Sequence, residues 1–141
     1  GYLAAFALGA EGIEMGTRVI ATQECVHAHP RYKQLLVEGS ELDTRVIKRS
    51  WGAPGRAVKT PLVEKILARE AEGATYEELA DWVSGKANQA LIYQGKIEEG
   101  FGWAGQVMGL INDIPTVKEL LERMEKEAKT YLARCQQIFD T

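Results

Sequence analysis

The sequence predicts an α/β fold in which one helix–strand pair leads into a mainly helical chain. Three observations carry that prediction. Leu3–Leu8 is an unbroken apolar run closed by Gly9, Gly12–Met15 is a short apolar segment between glycines, and a long helical repeat of apolar residues occupies the end of the chain. A helix followed by a strand is half of a βαβ unit. Gly1 opens straight into the helical pattern with no strand before it, so the pair is expected to be a fragment of a larger fold.

The first helix is expected to stop at Gly9, because glycine accepts the left-handed conformation that ends many helices. Gly12–Met15, with apolar Ile13 and Met15, reads as a buried strand. Pro30–Glu38 reads as a short helix with proline in its first turn, Gly39 at its end, and Tyr32, Leu35 and Leu36 on one face. Within Asp43–Ser50, Val46 falls on one face and Arg45, Ile47 and Arg49 on the other, which predicts an exposed or edge strand. Trp51–Gly55 is a turn.

Helices dominate the remainder. Thr60-Pro61 is a capping residue followed by proline at the first helical position, with Val63, Ile66 and Leu67 as the apolar face and Gly73 as the break. Thr75 and Glu78 have capping-box spacing and precede Leu79, Ala80 and Val83, with Gly85 expected to end that helix and Ala87–Tyr93 to form another up to Gly95. Thr116 and Glu119 repeat the spacing ahead of Val117, Leu120, Leu121, Met124, Ala128, Tyr131, Leu132, Cys135, Ile138 and Phe139, a long amphipathic helix. Its stripe needs a cover, which the rest of a barrel or another subunit would supply, so a homodimer is among the expected arrangements.

The 141 residues amount to one domain at most, with the 45% hydrophobic and 26% charged composition of a globular protein. A net charge of −3 argues against nucleic acid as the main partner. The longest apolar run is far too short to span a membrane. Cys25 and Cys135 form no CxxC pair, and two buried thiols in a cytoplasmic protein are expected. His27 and His29 near Cys25 match no standard zinc spacing and are expected as helix-capping or surface residues, so no metal is assigned.

The most informative stretch is Gly12–Arg18. A strand end opening into Gly16 and the hydroxyl of Thr17 is a place where backbone N–H groups can face a phosphate. Arg45, Lys48, Arg49, Arg56 and Lys59 form a loose basic cluster around a turn, which could dock an acidic carrier or a phosphopantetheine arm, although a solvated loop is the plainer reading.

The run from Leu3 to Arg18 resembles a signature of the nitronate monooxygenases, shared with the FMN-dependent enoyl-acyl-carrier-protein reductases of the same superfamily. The ordered continuation agrees: Ala21–Cys25, Ala28–Lys33, Asp43-Thr44, Gly55-Arg56-Ala57, Trp103–Gln106 and Gly109–Pro115. The resemblance implies the C-terminal part of an FMN-binding TIM barrel, with residues 1–24 as its last helix and strand and 25–141 as a mainly helical appendage. TIM-barrel phosphate sites are built by the loops after the last two strands. By this resemblance Glu14, Met15, Gly16 and Thr17 would end the last strand and bind the cofactor, with the main chain of Gly16 and Thr17 on the FMN phosphate.

The family usually carries Gln at the position of Glu14, and a carboxylate there would repel phosphate unless it points away or pairs with Arg18. The family's catalytic histidine and its second glycine-rich loop are expected upstream of Gly1, so no catalytic residue is assigned. Gly102, Gly105 and Gly109 share helical spacing suited to close packing; Gln106 is a candidate for the flavin pocket, and Trp103 and Met108 are expected in the core.

The resemblance implies an oxidoreductase that converts alkyl nitronates with dioxygen into a carbonyl compound and nitrite, the present segment being inactive alone. An FMN-dependent enoyl reductase using NAD(P)H and an acyl carrier protein is the alternative. A non-enzymatic helical interaction module is the third reading.

Overall fold

The computed structural model describes residues 1–139, and the contacts divide the chain into two units, Gly1–Met15 with the chain from Pro115 onward, and Gly16–Ile114. In chain order the elements are α1 (Tyr2–Ala7), α2 (Thr17–Ile20), α3 (Pro30–Glu38), β1 (Thr44–Ile47), β2 (Gly55–Val58), α4 (Pro61–Ala71), α5 (Tyr76–Leu79), α6 (Gly85–Ile92), a 3-10 turn (Gln106–Leu110) and α7 (Val117–Phe139).

The first unit pairs α1 with α7. Gly9 follows α1 at φ +95°, the left-handed ending expected of it. The Thr116–Glu119 capping box forms in both directions, the Thr116 amide donating to the Glu119 carboxylate at 2.8 Å and the Glu119 amide to the Thr116 hydroxyl at 3.1 Å. Gly12–Met15 corrects an expectation. It forms no ladder, and Gly12, Ile13 and Glu14 are exposed. A strand needs a neighbour to take its hydrogen bonds, and the described residues offer only β1 and β2, which pair with each other.

The second unit is built around that antiparallel pair, with Thr44 opposite Val58, Arg45 opposite Ala57, Val46 opposite Arg56 and Ile47 opposite Gly55. Side chains alternate across a sheet. One face therefore carries Arg45, Ile47 and Ala57, and α4 covers it: Ile47, Ala57, Val63 and Ile66 share one core with Phe101. The presence of Arg45 on this face suggested exposure, yet Ile47 is fully buried. The arginine is accommodated because Glu64 of α4 meets its guanidinium at 3.0 Å. The opposite face carries Thr44, Val46, Arg56 and Val58, and Val58 joins the second core with Tyr32 and Leu36 of α3, Leu91, Ala104 and Met108.

Local signals set most of these elements. Thr60 caps α4 by accepting the Val63 amide at 3.2 Å and donates its own proton to the Gly100 carbonyl at 3.0 Å. Gly73 at φ +86° closes the α4 end. The Thr75–Glu78 capping box is complete but starts a single turn, α5, rather than a helix running to Val83. Gly85 does not end a helix. It opens α6, because the Ser84 hydroxyl accepts the Ala87 amide at 3.2 Å and makes Ser84 the cap. The β1–β2 turn places Lys48 at φ +64°, a conformation that disfavours side chains, and Glu70 of α4 holds it by accepting the Lys48 amide at 2.9 Å.

Cys25 is half-buried and Cys135 exposed, so the expected pair of buried thiols is not found; Cys135 lies on the uncovered outer part of α7. No helix among the described residues is long and apolar enough to cross a membrane.

Candidate functional site

A cleft of about 230 Å³ in the second unit is lined by Gly16, Thr17, Ile20, Arg56, Trp103, Ala104 and Gly105. Its floor is the segment after Phe101, which lies along β2 as a short third edge. The Val58 amide donates to the Gly102 carbonyl at 2.9 Å, the Ala104 amide to the Arg56 carbonyl at 3.0 Å, and Ala57 bridges Trp103. The Tyr32 hydroxyl donates to the Trp103 carbonyl at 2.6 Å from below. Burial first, and the nearby Cys25 thiol second, push the Tyr32 phenol well above the ordinary tyrosine range. It therefore stays a neutral donor and pins the floor.

Gly102 and Gly55 are both required by this arrangement. A side chain at Gly102 would strike the Tyr32 ring, and one at Gly55 would overlap the Trp103 ring. Trp103 itself is 38% exposed, a departure from its expected place in the core. Its ring stands edge-on to Phe101 at 5.0 Å, with the Lys48 ammonium 5.8 Å from its centroid. Met108 is fully buried, as expected. The glycine spacing in Phe101–Ile111 does not form one helix. Gly102 and Gly105 precede the 3-10 turn, and only Gly109 lies in it, tight against Glu41. Gln106 is exposed and does not line the cleft.

The α2 wall supplies polar groups. Gly16 is the residue before α2, and its carbonyl accepts from Val19 at 3.0 Å and Ile20 at 3.2 Å. The first amides of a helix have no acceptor within it, so those of Thr17 and Arg18 are not used by α2 itself. The Gly105 amide donates to the Thr17 hydroxyl oxygen at 2.9 Å, which leaves that hydroxyl its own proton to donate. Nothing lies within 4 Å of where a Gly16 side chain would begin, so the backbone there is open to close approach.

The four predicted cofactor residues are thus placed differently. Gly16 and Thr17 face this cleft. Glu14 is exposed in the first unit, and Met15, half-buried, lines a separate groove with Tyr2, Ile13, Leu121, Met124 and Glu125. Arg18, the partner considered for Glu14, is engaged by Asp113 at 3.2 Å and by the carbonyls of Ala21 and Asp113 at 2.7 and 2.9 Å.

Arg56 is the cleft residue that the sequence grouped wrongly. The basic cluster does not act as one patch, because Arg45 is paired with Glu64 while Arg56 turns to the other face of β2. Alternation along the strand was the signal that separates them. His29 caps α3, its Nδ1 accepting the Arg31 amide at 3.1 Å with the ring against Gly95, while Cys25 packs against the core beside Tyr32. Among the described residues no group of three or more His, Cys, Asp or Glu could hold a metal ion.

The family model of nitronate monooxygenase matches residues 1–127. A nitronate monooxygenase of Paraburkholderia phytofirmans is 30% identical, over 98% of this chain and 37% of that protein. An octahydro-indene carboxyl-CoA dehydrogenase of Mycobacterium tuberculosis is 28% identical, over 94% of this chain and 47% of the relative. Among solved structures, FabK from Thermotoga maritima superposes with a TM-score of 0.86 and 36% identity, covering 96% of this chain and 42% of that one. The chain spans less than half the length of the curated relatives it matches. The mixed helix-and-strand architecture is that of part of a TIM-barrel protein, as the sequence predicts. With the match running over residues 1–127, the chain belongs to the nitronate monooxygenase family.

Proposed function

We propose that the protein carrying this chain is an FMN-dependent nitronate monooxygenase, and that Gly16 and Thr17 hold the phosphate of its cofactor. The observation that carries the site is the open backbone at Gly16, beside Thr17, on a cleft that both residues line. Gly16 and Thr17 fit the group through an open main chain and a hydroxyl proton, both of which a phosphate oxygen can accept from. When bound, the flavin would supply the redox chemistry, taking up electrons from an alkyl nitronate in a reaction with dioxygen that yields a carbonyl compound and nitrite. The residues of this chain bind and orient. Gly16 lets the main chain approach, Thr17 donates its hydroxyl proton, and the Tyr32–Trp103 bond keeps the cleft floor in place. No residue here is assigned to proton transfer.

An enoyl-acyl-carrier-protein reductase using NAD(P)H is the second reading, supported by the likeness to FabK at 36% identity. Anaerobic flavin reduction separates the two. Bleaching by a nitronate with no response to NADH supports the monooxygenase; fast bleaching by NADH supports the reductase. For the site, Gly16→Val should obstruct close approach and lower flavin retention by about tenfold or more, the loss expected when charge-assisted hydrogen bonds are broken. Unchanged flavin occupancy in Gly16→Val would remove Gly16 from the phosphate site.

A further inference from the structure

We infer that Arg18 is a clasp: one guanidinium fastens the two ends of the Gly16–Ile114 unit to each other, and neither end frays while it holds. Arg18 is the third residue of that unit and Asp113 the next to last, 95 residues apart in sequence. Arg18 Nη1 donates to the Asp113 carboxylate at 3.2 Å. Its Nη2 donates to the Asp113 carbonyl at 2.9 Å and to the Ala21 carbonyl at 2.7 Å. A planar fork reaches a carboxylate and two carbonyls at once, a geometry that the point charge of lysine does not offer. The Arg18 side chain is 14% exposed, so water competes little for these bonds.

The surroundings explain why the unit needs such a link. Helix α2 is a single turn, and one turn does not sustain itself. Carbonyls at its exit are taken by side chains: that of Val19 by the Thr22 hydroxyl at 2.7 Å, that of Ala21 by Arg18, and that of Thr22 by the buried Lys33 ammonium of α3. Thr22 and Lys33 hold α2 to its own end of the unit. Arg18 carries the link to the other end, where the Gln23 side chain adds an exposed bond to the Ile114 carbonyl at 3.4 Å. The Arg18 Nε is buried with no hydrogen-bond partner among the described residues, a cost that the two engaged outer nitrogens offset. Ala21 and Ile111 also share a core, but apolar contact is non-directional and does not pin one end to the other at named atoms.

Backbone hydrogen exchange in the complete protein tests the clasp, comparing the wild type with Arg18→Met, which keeps an apolar stem and removes all three bonds. Val19 and Ile20, whose amides donate to the Gly16 carbonyl, report on one end. Ile111, whose amide donates to the Met108 carbonyl at 3.0 Å, reports on the other, and Glu64 in α4, donating to the Thr60 carbonyl at 3.0 Å, is the control. Arg18→Met should speed exchange at both ends by about ten- to a hundredfold, the range for hydrogen bonds to a charged group, and change Glu64 by less than about twofold.

Faster exchange at Val19 and Ile20 alone would mean that Arg18 serves only its own helix through the Ala21 carbonyl, and would overturn the inference. Equal acceleration at Glu64 would mark a general loss of stability and would overturn it too, as would unchanged exchange at every reporter. Asp113→Ala keeps the main-chain carbonyl and should speed both ends several-fold. Combined with Arg18→Met it should add little, because the two side chains act as one unit; fully additive effects would overturn the clasp. Should Arg18→Met fail to fold, Arg18→Lys keeps the charge and loses the fork. Several-fold acceleration at both ends then supports the inference, and wild-type exchange overturns it.

Discussion

Helices α4 and α7 start from the same grammar and end in opposite states. Each follows a threonine cap and carries an apolar stripe at helical spacing. α4 buries Leu62, Val63 and Ile66 against the sheet, whereas α7, twice as long, buries only Leu120. The difference teaches what an amphipathic pattern encodes. Periodicity names the face that gains from cover; whether cover exists depends on residues far away in sequence. For α4 those residues are on β1 and β2 within its own unit. For α7, Leu121, Tyr131, Leu132, Ile138 and Phe139 all remain exposed.

The sharpest way to break that contrast is to remove packing from α4. Ile66 is fully buried in the core under the sheet. Ile66→Ala should cost about 2–5 kcal/mol, the range for truncating a buried branched side chain. Chemical denaturation monitored by tryptophan fluorescence would measure it, because Trp51 and Trp82 border the same core. A loss below about 1 kcal/mol would mean that this core is far looser than its burial implies.

A smaller effect is expected at Tyr32, which ties α3 to the cleft floor. Tyr32→Phe keeps the ring and removes one hydrogen bond, so about 1 kcal/mol should be lost. The pH dependence is more telling. In the folded protein the phenol is pushed up, mainly by burial. Its stabilising contribution is present below the ordinary tyrosine value near 10 and falls as pH rises above it, because the unfolded chain ionises first. Wild-type stability should therefore drop on an alkaline limb above about pH 10, and Tyr32→Phe should flatten that limb. An unchanged limb would place the alkaline sensitivity at another group.

Local chemistry was legible in the sequence, and partnership was not. Helix α3 runs from Pro30 to Glu38 as read, because a proline in the first turn and a closing glycine are self-contained signals. Both capping boxes form for the same reason. Gly12–Met15 failed as a strand because pairing depends on a neighbour that its own residues do not specify. Gly85 misled because a glycine can follow one helix or open the next, and Ser84 decided the matter. At the candidate site, the sequence named Gly16 and Thr17 from backbone freedom and hydroxyl chemistry, and both line one cleft. The mate they share a cleft with, Arg56, is distant in sequence and was hidden inside a charge cluster. Only the alternation of β2, itself missed as a strand, separates Arg56 from its neighbours.

The smallest predicted effect tests the other side of the contrast. Leu132 on α7 is 48% exposed. If nothing covers its face, Leu132→Ser should change the stability of this chain by less than about 0.5 kcal/mol, as surface substitutions do. A loss of more than about 1 kcal/mol would show that the stripe is covered in solution. Protein concentration then identifies the cover. Cover by a second copy makes the unfolding midpoint rise with concentration, through mass action, and Leu132→Ser should abolish that rise. A midpoint independent of concentration in both proteins, with the small loss expected here, leaves the Leu132 side of α7 outside the packing that stabilises this chain.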